Sequence, residues 1–171
     1  MNISETYDYL VRARRDLWAT LEVLPDEVLT RPLLGGSRFH CIKDLLFHVA
    51  VVEDCWIHED ILREPPVLAS IRALKDKESG SDYAGFPLET LLDYWRRVEQ
   101  STLAYLATLT DDAMKRIVTS HDSPDERYTV DGLLWHVMIH EMRHTAQICV
   151  LLRTQGIKPP SLDLLFYLPS A

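Results

Sequence analysis

Apolar residues recur along this chain at intervals of three and four in four separate stretches, and no stretch alternates apolar with polar convincingly. That periodicity predicts amphipathic helices rather than strands. The first helix is predicted over residues 5–24, where Tyr7, Leu10, Val11, Leu17, Trp18 and Leu21 share a face and Pro25 stops the element. The second is predicted over residues 42–62, with Pro65 and Pro66 just beyond it. A third begins near Pro87, a residue favoured in a first turn, and continues to about Thr108. The fourth begins near Thr129, a plausible N-cap, and ends at Gly156, a plausible C′ glycine, before Pro159 and Pro160.

Four amphipathic helices of about 20 residues predict an all-α chain folded as a four-helix bundle. The three connections, residues 25–41, 63–86 and 109–128, carry Gly, Pro, Ser or Asp clusters. They are longer than ordinary helix–helix linkers, so they either have a function or contain short helical pieces. The closing segment, SLDLLFYL at residues 161–168, is too apolar to hang in water and is expected to pack across the bundle. With 171 residues and no internal repeat, one domain spanning 1–171 is expected.

Composition narrows the function classes. Apolar residues make up 47% and charged residues 26%, ordinary for a globular protein with a proper core. The net charge of −8, with no basic stripe, argues against a nucleic-acid partner. The N-terminus MNISETYDYL has acids where a signal peptide has basic residues, and no apolar core follows it. The most apolar long stretch, residues 133–152, holds His136, His140, His144, Glu141 and Arg143, so no membrane span is expected. Cys41, Cys55 and Cys149 are odd in number, widely spaced and free of any CxxC pattern, which fits reduced thiols in a cytoplasmic protein.

The chemistry concentrates in the fourth helix, TVDGLLWHVMIHEMRHTAQICVLLRTQG. His136, His140 and His144 recur every four residues and share a face with Leu133, Val137, Gln147, Ile148 and Leu151. Imidazoles aimed at a core need partners for both ring nitrogens. Two at i and i+4 can converge on one metal, whereas three cannot, because His136 and His144 stand roughly 12 Å apart along the axis. One helix therefore supplies 136/140 or 140/144, and a further ligand must come from elsewhere. A lone histidine would read as a hydrogen-bonded core residue; three on one apolar face favour a divalent metal. His48 is the favoured partner because it alone lies inside an apolar run. His121 sits in a polar stretch, His58 nearer the helix flank, and His40 ahead of the helix. Antiparallel helices would level His48 with 140/144, and parallel ones with 136/140. The opposite side of the fourth helix is also apolar (Trp135, Met138, Met142, Cys149), which suggests cover by loops and tail or a homodimer interface.

LLFHVAVVEDCWI resembles the second-helix pattern of the DinB/YfiT-like family, and the fourth helix resembles that family's last-helix pattern of His-x-x-x-His, then Gln, Leu-Arg and Gly. FPLETLLDYWRRVEQSTLAYLATLTDDAM has the arrangement of its third helix, so the likeness covers nearly the whole chain. The resemblance implies a DinB-type bundle in which His48, His140 and His144 are the metal ligands and His136 is a neighbour. Two positions depart from the pattern: Thr145-Ala146-Gln147 where the family often has Arg-Gly-Gln, and Cys41 where a serine often caps the second helix.

HEMRH, residues 140–144, also satisfies the zinc-protease pattern H-E-x-x-H, in which the glutamate is the general base. That reading needs a third ligand, normally downstream, where only Asp163 stands. A zinc hydrolase is thus the remote reading. Glu141 is expected either beside a metal-bound water or as a solvated or ion-paired carboxylate, for instance with Arg143. Three neutral imidazoles leave an open coordination position, the catalytic pattern. Zinc or nickel suits such a set first, and iron also fits. The resemblance to the DinB/YfiT-like family also implies kinship with enzymes that use low-molecular-weight thiols. The leading expectation is therefore a metal-dependent enzyme acting on a small-molecule substrate, with a thiol as cofactor in a transferase-like reaction. A non-catalytic metal-binding or stress-response protein is the competing class, and a metal-free bundle with hydrogen-bonded histidines a third. A pocket lined by Trp56 and Gln147 would favour the enzyme.

Overall fold

The computed structural model describes residues 1–75, 77 and 82–168. Four long helices dominate it: α1 (Ile3–Glu22), α3 (Ile42–Asp54, continued as a π-helix over Cys55–Leu62), α4 (Leu88–Leu106) and α6 (Val130–Thr154). The periodicity placed each of them to within two residues at either end. Between them lie two one-turn helices, α2 (Asp26–Thr30) and α5 (Asp111–Lys115), and a 3₁₀ turn, Val67–Ser70. The strands β1 (Ile117–Thr119) and β2 (Arg127–Thr129) pair antiparallel in the register Ile117↔Thr129. The long connections thus hide short helical pieces, as expected. The hairpin is a departure from a purely helical reading; at three residues per strand it is too short to show alternation.

The termini follow local chemistry. Asn2 and Glu5 close a capping box at the start of α1. The Thr129 hydroxyl accepts the Gly132 N–H at 3.0 Å and starts α6. Gly156 at φ +77° ends that helix, and Ile157 N–H returns to the Leu152 carbonyl at 3.0 Å. Among the described residues, no helix is long and apolar enough to cross a membrane. Cys41, Cys55 and Cys149 are free thiols.

The buried side chains form two apolar clusters. One gathers Leu17, Leu45, Phe47, Trp95 and Ile148, the other Tyr7, Leu10, Ile57, Leu106 and Met138. Chain order shows that α1 and α6 run from the second cluster to the first, while α3 and α4 run the opposite way. α3 is therefore antiparallel to α6.

Arg14, Glu53, Glu99 and Glu141, one from each long helix, form a buried charge layer. The Arg14 guanidinium donates to Glu141 through Nε (2.8 Å) and Nη2 (2.6 Å), to Glu99 through Nη1 (3.1 Å) and to Glu53 through Nη2 (3.2 Å). Glu53 also accepts from Tyr7, Thr102 and Trp95, and Glu99 from Arg15. Charges leave water at a cost of several kcal/mol each unless paired and hydrogen-bonded, and this layer is both.

The tail packs on α1. The Tyr9 hydroxyl donates to the Leu162 carbonyl (2.5 Å), Tyr167 donates to Asp16 (2.6 Å), and the Tyr9 and Tyr167 rings meet edge-on at 5.4 Å. Leu165 and Phe166, each 69% exposed, point away from it.

Candidate metal centre

His48 projects from α3, and His140 and His144 project from adjacent turns of α6. One nitrogen from each lies within 4.8 Å of the others, so the three could hold a metal ion. The Nε2 atoms of His48 and His140 are 3.0 Å apart, within hydrogen-bond distance. The three rings are mutually close, with centroids 4.4–4.8 Å apart. Ligands around a tetrahedral ion with metal–nitrogen distances near 2.0–2.1 Å stand roughly 3.4 Å from one another, so small side-chain rotations would close the set. The antiparallel run of α3 and α6 selects the 140/144 pair. His136 is exposed one turn earlier, its ring 5.8 Å from His140 and 5.5 Å from Trp56.

The protonation chemistry also fits a cation. Burial, reinforced by His144, Arg38 and Arg143, lowers the His48 pKa to about 4. Burial and the neighbouring imidazoles lower that of His140 to about 3. Burial lowers His144 as well, opposed by its bond to Gln147. All three are neutral at pH 7, the form that ligates. His144 Nδ1 donates to Gln147 Oε1 at 2.7 Å, which leaves the lone pair on Nε2. Arg143 Nη2 donates to that same Nε2 at 2.9 Å. Phe39 covers one side, its ring 4.2 Å from that of His48.

The other histidines are elsewhere. His40 is exposed at the start of α3, and His121 is exposed with its backbone N–H on Asp60 at 2.5 Å. His58 is buried: Nδ1 lies 2.8 Å from Asp54 Oδ1 and Nε2 lies 2.8 Å from Ser101 Oγ. The bond to Asp54 raises its pKa against the effect of burial. The order Asp–His–Ser is that of a hydrolytic triad, but Ser101 lies within α4, where neighbouring backbone N–H groups are spent on the helix rather than on an oxyanion. Asp54 also binds the N–H groups of Val67 and Leu68 and the Tyr94 hydroxyl, each at 2.8–2.9 Å. The group anchors the 3₁₀ turn to α3.

Glu141 corrects one of the two sequence expectations. Its carboxylate, 2% exposed, is held by Arg14 of α1 through both oxygens. It is the ion-paired carboxylate, with Arg14 in place of Arg143, and not a base beside the histidines. The H-E-x-x-H letters are present, but their glutamate belongs to the buried charge layer. Arg14, Glu53 and Glu99 were not singled out in the sequence. The available signal was a charged residue at an apolar-face position: Arg14 lies seven residues from both Tyr7 and Leu21.

The DinB family matches residues 1–171. No curated protein matches the chain. Among solved structures, a conserved protein from Enterococcus faecalis is similar at a TM-score of 0.67 and 17% identity, covering 90% of this chain and 96% of its own. A DinB-like protein from Bacillus cereus ATCC 10987 is similar at 0.60 and 21%, covering 91% and 94%. YfiT from Bacillus subtilis is similar at 0.65 and 21%, covering 91% and 89%; it is described as a probable metal-dependent hydrolase with an unusual four-helix bundle topology.

Proposed function

The chain belongs to the DinB family, and from that premise we propose that it is a divalent-metal-dependent enzyme with His48, His140 and His144 as its ligands. The single observation that carries this reading is the convergence of three imidazoles from two helices, two half-buried and one buried, with one nitrogen of each within 4.8 Å of the others. A divalent ion held there would supply Lewis acidity, lowering the pKa of a water or thiol and polarising a carbonyl. The chain's own residues do the positioning: Gln147 orients His144, and Phe39 shields His48. Three protein ligands leave a position for a reactant. We assign the reaction to transfer of a low-molecular-weight thiol to a small electrophile. Hydrolysis is the second reading, favoured by the description of YfiT.

Elemental analysis of protein purified without a histidine tag tests the metal. About one zinc, nickel or iron per chain is expected in the parent and none in the His48→Ala, His140→Ala, His144→Ala variant. A parent that takes up none, even after incubation with zinc or nickel, removes the reading. A panel of thiols with electrophilic acceptors, run beside ester and amide substrates, then separates transfer from hydrolysis.

We also propose that two copies pair through the outer side of α6. Ile139 and Val150 are 58% and 54% exposed there, while Trp135 and Met142 are half-buried beside them. Ile139→Lys with Val150→Lys is expected to convert a dimer to a monomer in light scattering. A parent that is already monomeric at micromolar concentration sinks the proposal.

A further inference from the structure

Arg143 is an unusual neighbour for a cation site. It lies between His140 and His144 on α6, is exposed, and among the described residues forms no salt bridge, although the chain as a whole carries a net charge of −8. Its hydrogen bond goes to His144 Nε2, the ring nitrogen left with a lone pair once Nδ1 donates to Gln147. A second guanidinium is near: Arg38 lies 5.4 Å over the Phe39 ring, which also meets His48 and His144. The candidate ligands include no carboxylate. A divalent ion on neutral imidazoles would therefore keep its full charge, with arginine beside it and no protein anion among its ligands to balance it.

Resting on the metal-site reading above, we propose that the site takes an anionic substrate, and that Arg143, with Arg38 across Phe39, holds its carboxylate or phosphate group next to the ion. The lone pair of His144 Nε2 cannot serve Arg143 and a metal together. Occupation of the site releases the guanidinium while the backbone keeps it one residue from a ligand. A planar fork of N–H donors matches carboxylate and phosphate oxygens bidentately. Arg143 satisfies His144 Nε2 here; with a metal on that nitrogen it would be a specificity residue for an oxyanion. Arg143 is thus a positioning group for substrate, and Gln147 for the ligand.

The test uses cobalt(II)-loaded protein, whose visible bands report ligands at the ion. Acetate, inorganic phosphate and neutral acetamide are titrated into the parent, Arg143→Gln and Arg143→Lys. Cobalt stoichiometry and helix content are expected to be unchanged in both variants, because Arg143 is exposed. Acetate or phosphate is expected to perturb the parent spectrum and to bind about 10- to 100-fold more weakly to Arg143→Gln, with Arg143→Lys between them. The tighter of the two anions assigns the group. Equal anion affinity in parent and Arg143→Gln, with cobalt bound to both, overturns the inference and leaves the metal site standing. A parent that binds no cobalt overturns the metal reading and the inference with it.

Discussion

Arg14→Ala is expected to cost the fold about 3–5 kcal/mol or more, because removal of one partner strands a buried charge and here three carboxylates lose their shared cation. A chain of this size loses roughly 2–4 °C of Tm per kcal/mol, so the midpoint should fall by about 6–20 °C at pH 7.5. Arg14→Lys keeps the charge but not the fork that reaches Glu53, Glu99 and Glu141 together, and should lose an intermediate amount. The pH dependence identifies the cause. Burial raises the Glu141 carboxyl above its ordinary value and Arg14 opposes that rise, so without Arg14 its folded-state pKa lies further above the unfolded one. Stability carried by such a group is present below the unfolded pKa and lost as pH rises through the folded one. The deficit of Arg14→Ala against the parent should therefore shrink between pH 7.5 and pH 5. Arg14→Ala combined with Glu141→Gln should recover part of the loss at pH 7.5. A midpoint within 2 °C of the parent's across this range would mean that the layer is not a structural element.

Zinc added to metal-free protein at about 100 times its Kd is expected to stabilise it by about 2.7 kcal/mol. That corresponds to roughly 5–10 °C in Tm, and His140→Ala should abolish the gain. Acid acts on the same groups with a definite sign. The folded-state pKa values of His48 and His140, lowered to about 4 and about 3, lie beneath the ordinary imidazole value. The unfolded chain therefore takes up protons first. The stability that these groups carry is complete above about pH 6.5 and is lost as pH falls toward 4 and then 3. His58 has the opposite sign: its raised pKa carries stability at low pH that is lost as pH rises through the folded value. Comparison of the metal-free parent with His48→Ala separates the two, since that variant should show a shallower acid limb. The zinc gain should persist through pH 6, because protons do not compete for these imidazoles until lower pH. A gain equally large in His140→Ala would place the zinc elsewhere.

The four long helices were legible because amphipathic periodicity is a local property, and each face was written within a few turns of chain. The histidines at 140 and 144 were legible for the same reason, and His48 stood out as the histidine inside an apolar run. Direction was not local. Whether α3 runs with or against α6 decides between His136 and His144 as the second α6 nitrogen, and either arrangement satisfies the two helical patterns equally. Packing of two separate apolar clusters settles it, and with it the convergence of 48, 140 and 144. Glu141 depended on the tertiary structure in the same way. Its letter within H-E-x-x-H points to catalysis, but its carboxylate meets Arg14, 127 residues away in the chain. The charge layer itself needed all four helices at once, because a buried arginine is stable only where several acceptors arrive together. The sequence by itself determined which faces are apolar and which residues they carry; only the tertiary structure decided which faces meet, since that choice rests on contacts between distant segments that no local pattern records.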